Sequence, residues 1–283
     1  NAVVFGCDSR FYYQLIPFLH DHVRVIDLFH AFVDRGKGAE NWSLPLASRI
    51  NQRIVLGEYT KQQFVDLYKE KNLPIKLGDR ISIISNAVSV PDRLPEKNVA
   101  QALNVLFVGR KGREKRLALF NAIAKKCFDD GVNAQFRVVG NMLTKQRRDH
   151  AISWHPSITL LGEIRDAVTL SDVYKKADLI LITSYREGFP MVIMEGMAHG
   201  VVPISTNVGE LRWHIKEGNK NGVLISTLDE TEILERFVEQ IQIFEKDREL
   251  LKIYSSNAYA YAKVHFYEKK FEESYRSLFL GGM

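Results

Sequence analysis

The chain has 283 residues, about two domains' worth at roughly 150 residues per domain. With 46% hydrophobic and 26% charged residues it is neither a disordered nor a fibrous chain. Its 39 basic and 34 acidic side chains leave a formal charge of +5, a mild bias toward anionic partners that names none of them.

Taken in chain order, short runs rich in Val and Ile read as strands at Ala2–Gly6, Val23–Leu28, Arg53–Leu56 and Arg80–Ser85, then at Leu103–Val108, Ala134–Val139, Ile158–Leu161, Asp178–Thr183, Val201–Ser205 and Gly222–Ile225. Amphipathic stretches of helical length fall between them, among them Glu58–Lys69, Glu114–Phe128, Asp166–Lys175 and Met191–His199. The strands are continuously apolar, as buried parallel strands are, and the alternation implies βαβ units. The fold class is therefore α/β. From Thr231 onward the chain is helical and charged, and its aromatic stripe from Tyr254 to Tyr275 reads as core packing.

The stretch Pro91–Ala100, with two prolines and four charges, reads as an interdomain linker. This divides the chain into a partial amino-terminal domain (1–90), a linker (91–102), a doubly wound domain (103–265) and a terminal helix (266–283). No apolar run approaches the roughly 18 residues of a membrane helix. Two cysteines, Cys7 and Cys127, fit a reducing compartment and a cytoplasmic location. The opening residue is Asn1 rather than Met, so the chain reads as cut from a longer one.

The densest chemical signal runs from Ser184 to Ala198. A strand, Ala177–Thr183, leads into a turn holding Glu187, Gly188, Phe189 and Pro190, and a helix of small and apolar residues begins at Met191. Glycine in such a turn lets a ligand approach the backbone, and the free N–H groups of the helix start favour an anion. Glu187 and Glu195 are placed to accept hydrogen bonds from ligand hydroxyls. Taken singly, each is as well explained as a helix cap or an exposed helix charge.

A second signal, Gly109-Arg110-Lys111-Gly112-Arg113-Glu114-Lys115, follows a strand and opens a helix. Neither G-x-G-x-x-G nor a Walker lysine is present, which excludes nicotinamide and P-loop readings. Arg110 and Lys115 would offer cations to a diphosphate; alternatively the segment is a solvated basic loop.

These segments, with Val138-Val139-Gly140, Leu161-Gly162-Glu163 and Val201–Glu210, occur in the order seen in family-four glycosyltransferases, which the chain resembles over Leu103–Ile225. Upstream the likeness is weaker: Ile54–Lys61 looks like that family's strand and helix before the domain crossing, and Ser85-Asn86-Ala87-Val88 is similar to its Asn-Gly-Val turn, with Ala87 in place of glycine. The resemblance implies the GT-B fold, two Rossmann-like domains, of which the first is here apparently shortened. It implies a retaining transferase that moves a sugar from a nucleotide-diphosphate sugar to a glycan or lipid-linked acceptor. Glu187 would contact the donor sugar beside the backbone of Gly188, Phe189, Pro190 and Met191, and Glu195 would hold the ribose. Arg110 and Lys115, next to Gly109, would neutralise the leaving diphosphate. Gly162 and Glu163 would take the base through their backbone, and Val139 and Gly140 would line the same cleft.

The resemblance further suggests that His30, after the strand Val23–Leu28, orients the acceptor, although a structural histidine reads equally well there. Asp34–Asn41 would be an acceptor-side loop or a plain solvent loop. No Cys/His spacing resembles a metal site, and no Asp-x-Asp is present, so the expectation is transfer without metal or cofactor. The basic character suits a peripheral contact with an anionic membrane face, and without a recognised motif it does not indicate nucleic acid. The other reading kept open is a GT-B module that binds nucleotide-sugar, or serves as a partner subunit, without catalysis.

Overall fold

The computed structural model describes residues 2–33, 38–97, 101–142 and 153–280, which leaves the basic run Lys145–Arg148 outside the described residues. The chain forms two compact units. The first comprises Asn1–Ala87 with Glu187–Phe189 and Glu268–Met283; the second comprises Val88–Arg186 and Pro190–Tyr267.

The first unit carries a four-stranded parallel sheet in sequential order: β1 (Val3–Cys7), β2 (Arg24–Phe29), β3 (Gln52–Val55) and β4 (Ile81–Ile83). Helices α1 (Arg10–Leu15), α2 (Ala39–Trp42) and α3 (Glu58–Glu70) occupy the connections. Parallel crossovers are right-handed, so a sheet that advances in one direction receives all its connecting helices on one face. The residue period of two along β2 shows the consequence. Val25 and Phe29 join the core under those helices with Phe64 and Tyr68. Ile26 faces the other way and packs with Ile54, Ile84 and Leu278. Leu278 belongs to the last helix, α10 (Glu268–Leu280), whose Phe271 and Tyr275 lie against the same cluster.

On the helix-covered face the strands carry a buried ion pair. Asp27 and Arg53 are register partners on β2 and β3, and their charged atoms meet at 2.6 Å with both side chains nearly inaccessible. The Tyr13 hydroxyl donates to Asp27 at 3.2 Å, and Arg53 donates to the Tyr68 hydroxyl at 2.8 Å. The Arg53 guanidinium also lies 4.0 Å from the Phe64 ring centroid. Two buried charges are tolerated here because each is paired and its remaining hydrogen-bond capacity is used.

The second unit has a six-stranded parallel sheet: β5 (Leu103–Val108), β6 (Ala134–Val139), β7 (Ile158–Gly162), β8 (Leu179–Ile182), β9 (Val202–Thr206) and β10 (Val223–Ile225). Its spatial order is β10-β9-β8-β5-β6-β7, so the chain winds outward on one side of β5 and then on the other. The helices are α4 (Leu117–Asp129), α5 (Ala167–Lys176), α6 (Met191–Ala198), α7 (Leu211–His214), α8 (Glu230–Lys246) and α9 (Arg248–His265). Asp166 caps α5 by accepting from the Thr169 N–H at 2.7 Å, the local reason that helix starts where it does. Pro91–Lys97, linker-like in composition, packs within this unit: the Tyr259 hydroxyl donates to the Pro91 carbonyl at 2.7 Å, and the Lys97 ammonium donates to the Ala177 carbonyl. Burial pushes the Lys97 amine down to about 8.

Two expectations are corrected by the backbone. The helix expected from Glu114 begins at Leu117, because Arg116 adopts a left-handed conformation (φ 50°) after a short 3₁₀ turn at Arg113–Lys115. The segment expected as a loop at Asp34–Asn41 enters α2 at Ala39, with residues 34–37 outside the described ones. There Glu40 is buried and accepts from the Gly38 N–H at 3.1 Å, so this part is not a plain solvent loop.

Asp27→Ala leaves the Arg53 charge buried and unpaired. It is expected to lower unfolding free energy by about 3–5 kcal/mol, read from the urea midpoint with the slope unchanged.

Candidate nucleotide-sugar site

In an open parallel sheet, ligands sit outside the carboxyl ends of the strands where the winding reverses. In the second unit that place lies between β5 and β8, which pair directly at Val105–Leu179 and Leu106–Ile180. Both chemical segments of the sequence begin there. Gly109–Lys115 leaves the end of β5, and Ser184–Pro190 leaves the end of β8.

The two loops are fastened to each other. The Thr183 hydroxyl donates to the Lys115 carbonyl at 2.7 Å, and the Tyr185 N–H donates to the Glu114 carbonyl at 2.9 Å. Arg116 lies 4.4 Å from the Tyr185 ring centroid and pairs with Glu230 at the start of α8. Arg116 is therefore spent on structure. Arg110, in contrast, is 79% exposed and meets only Glu114 among the described charges, at 2.8 Å. That contact has no hydrogen-bond alignment, and an exposed pair of this kind contributes about 0–1 kcal/mol. Arg110 can exchange it for a stronger anionic partner.

Two glycines shape the neighbouring strand ends. Gly140 follows β6 with φ 139°, and a Cβ there would fall 1.9 Å from the Gly109 carbonyl oxygen. Its N–H donates to the Gly162 carbonyl at 2.8 Å, while the Gly109 N–H donates to the Val139 carbonyl at 3.0 Å. Gly109, Val139, Gly140 and Gly162 thus form one continuous strip of backbone along β5, β6 and β7. Gly162 also has positive φ (76°) but open space around it. Glu163 beside it is solvent-facing and pairs with Arg165 at 3.0 Å.

Pro190 stands at the N-cap of α6 rather than within its first turn, and its side chain has no polar group to cap the helix. The positive end of its dipole thus faces the loop. Glu195, on the following turn of α6, accepts from the Tyr174 hydroxyl at 2.7 Å. Burial, reinforced by that carboxylate, raises the Tyr174 phenol above its ordinary value and keeps it a neutral donor. His199 Nδ1 donates to the Glu195 carbonyl at 2.8 Å, which leaves Nε2 to accept from the Ser171 hydroxyl at 2.8 Å, and burial holds the His199 pKa below its ordinary value. Tyr174 and His199 stack at 5.6 Å between centroids, a support for Glu195 that the sequence motif did not contain.

Glu187, Gly188 and Phe189 group with the first unit. Within it, a Cβ on Gly188 would lie 2.6 Å from the His30 carbonyl oxygen, so glycine is required by close approach. Phe189 is buried, and Met191, back in the second unit, is partly exposed. His30 itself follows β2, and its Nδ1 meets Asp8 Oδ2 at 2.9 Å and Cys7 Sγ at 3.3 Å. The Asp8 hydrogen bond, against the opposing effect of burial, holds the His30 pKa above its ordinary value. The Cys7, Asp8 and His30 ligand atoms lie within 4.8 Å of one another, a grouping that no Cys/His spacing in the sequence announces.

The reversal of strand order at β5 and β8 makes the second unit a Rossmann-like doubly wound sheet, and the glycine-bearing loop, the start of α6 and the held carboxylate all stand on that unit. Residues 102–242 match the family described as glycosyl transferases group 1. Through this unit the chain belongs to the group 1 glycosyltransferases, with the GT-B fold. Among curated proteins, it is 27% identical over 209 residues (72% of this chain, 55% of the other) to an uncharacterized glycosyltransferase of Methanocaldococcus jannaschii. It is 25% identical over 154 residues (53% and 42%) to an α-1,4-N-acetyl-D-galactosaminyltransferase of Campylobacter jejuni whose name specifies a diNAcBac-PP-undecaprenol glycan. The chain spans about half the length of these two relatives. The structure of Anabaena HepE in complex with UDP-glucose is similar with a TM-score of 0.74 and 15% identity, over 97% of this chain and 78% of that one. A variant of S. aureus TarM in complex with fondaparinux, α-GlcNAc-glycerol and UDP is similar with a TM-score of 0.74 and 18% identity, over 98% and 55%.

The glycine geometry gives a graded expectation. Gly140→Ala meets both forbidden backbone and a carbonyl, and should destabilise by at least about 2 kcal/mol. Gly162→Ala meets only the backbone penalty, about 1–2 kcal/mol. Urea unfolding of the two variants reads the order directly.

Proposed function

We propose that the protein is a retaining glycosyltransferase that moves a sugar from a UDP-sugar to a glycan or lipid-linked acceptor, without a metal ion in the transfer step. The observation that carries this reading is the pair of fastened loops at the β5–β8 reversal, with Arg110 available, the start of α6 facing the loop and Glu195 held by Tyr174. UDP is favoured as the nucleotide because similar structures carry it, and a lipid-linked acceptor because the Campylobacter relative names one.

In this reading Glu195 accepts from the ribose hydroxyls, and the backbone strip Val139, Gly140, Gly162 and Glu163 borders the base. Arg110, Lys115 and the α6 N-terminus stabilise the negative charge that grows on the departing diphosphate. Fixed cations and a helix dipole do here what a metal ion does elsewhere, and they need no reorganisation at the moment of bond breaking. Glu187 binds the donor sugar and stabilises positive charge developing at its anomeric carbon. The acceptor oxygen attacks from the face the diphosphate leaves, and its proton passes to the leaving phosphate oxygen, so configuration is retained. His30 orients the acceptor from the first unit. The protein works at the cytoplasmic side of a membrane, where its net basic charge suits an anionic surface.

Glu187→Ala should reduce transfer by at least ~100-fold, about 2.7 kcal/mol in the barrier, while UDP affinity changes less than about threefold. Arg110→Ala should weaken UDP binding by about tenfold or more. A chelator should leave the transfer rate undiminished. Loss of turnover on chelation, or parental kinetics in both variants, would contradict the assignment.

A further inference from the structure

The geometry points to a binding site for a borderline-soft divalent cation such as Zn²⁺ in the first unit, formed by Cys7 Sγ, Asp8 carboxylate and His30 Nδ1. These three atoms lie within 4.8 Å of one another. Two separations are already close to those of a metal's ligand shell: Cys7 Sγ to His30 Nδ1 at 3.3 Å, and His30 Nδ1 to Asp8 Oδ2 at 2.9 Å. Around a tetrahedral zinc such pairs would stand about 3.3–3.6 Å apart, so these two pairs need to open by only a few tenths of an ångström.

The trio is assembled by the backbone, not by chance rotamers. Cys7 ends β1 beside Leu28 of β2, which places it next to the residues that follow β2. Successive side chains on a strand point to opposite faces, so Asp8 would ordinarily turn away from Cys7. Instead Asp8 takes a left-handed backbone (φ 39°), uncommon for a residue other than glycine, and its carboxylate returns to the same point. Such strain persists where the surroundings enforce it and clusters at binding sites.

A second observation is independent of that backbone. Asp8 Oδ2 is occupied by the His30 ring and by the His30 N–H at 3.2 Å, but Oδ1 is shielded from solvent and has no hydrogen-bond partner among the described residues. A shielded carboxylate oxygen without a donor is costly, and a cation removes that penalty.

The donor set selects the metal class. Thiolate, imidazole and carboxylate together suit Zn²⁺, Co²⁺ and Cd²⁺, whereas Mg²⁺ and Ca²⁺ take oxygen ligands. Three protein ligands leave a fourth position for water, and the half-open His30 side chain (46% exposed) gives an entry path. On binding, the thiol proton and any second proton on the His30 ring pass to water. The metal on Nδ1 then fixes the ring in its Nε2–H form and withdraws it from other work. In the proposed transferase this makes the ion an inhibitor rather than a participant. The site stands on first-unit residues alone, so its binding test does not depend on the transferase reading.

Cobalt titration reads the site without activity. The parent chain should develop a thiolate-to-Co²⁺ charge-transfer absorption that saturates at about one equivalent and is displaced by Zn²⁺. Cys127→Ser, which alters only the buried thiol of the second unit, should keep the band; Cys7→Ser should lose it, and His30→Ala should weaken Zn²⁺ binding at least tenfold. Alkylation of the parent provides a check that needs no variant: Zn²⁺ should protect Cys7 from iodoacetamide, as read by peptide mass. Absence of the band in the parent, its persistence in Cys7→Ser, or unprotected Cys7 would overturn the site.

Discussion

Two hydrogen bonds, from the Thr183 hydroxyl to the Lys115 carbonyl and from the Tyr185 N–H to the Glu114 carbonyl, hold the candidate nucleotide site in one piece. Each joins the loop after β5 to the loop after β8, strands that are neighbours in space but far apart in sequence. Parallel sheets impose this situation. The winding reverses once, and at that place two loops emerge side by side with no helix crossing over them. Without the cross-links the loops would be independent and the cations and dipole they carry would have no fixed separation. Arg116 adds to the fastening through Tyr185 and Glu230, whereas Arg110 in the same basic run stays exposed.

The glycines belong to the same constraint. Gly140 allows the backbone after β6 to touch that after β5, and Gly188 allows the Glu187 turn to approach the carbonyl of His30. In both cases the missing side chain is what lets polar backbone come close. Phosphate and sugar recognition needs such surfaces because N–H groups are directed and do not reorganise. The support behind Glu195 follows a similar logic. A phenol raised in pKa by burial stays protonated and donates to the carboxylate at every physiological pH.

Much of this was legible in the sequence, and the reasons are local. Leu103–Val108 coincides with β5, an apolar run broken only by Asn104, and Ala134–Val139 coincides with β6, where buried Phe136 and Val138 alternate with Gln135 and Arg137. The turn between β8 and α6 was legible because a strand, a turn glycine and a proline at the helix start follow each other within a few residues. Features made by long-range register were not. The left-handed turn at Arg116, which moved the start of α4 to Leu117, has no glycine to announce it. Tyr174 reaches Glu195 across 21 positions, and Cys7 reaches His30 across 23, both through strand or helix neighbours that no spacing rule anticipates. Glu40 reads as an ordinary surface charge until its burial beside the Gly38 N–H is seen.

Hydrogen–deuterium exchange with and without UDP tests the central claim most directly, since the backbone itself is argued to form the site. Slower exchange should be confined to Gly109–Lys115, Val139–Gly140, Gly162–Glu163 and the first turn of α6. Uniform exchange, or protection lying outside these segments, would contradict a nucleotide site at the β5–β8 reversal.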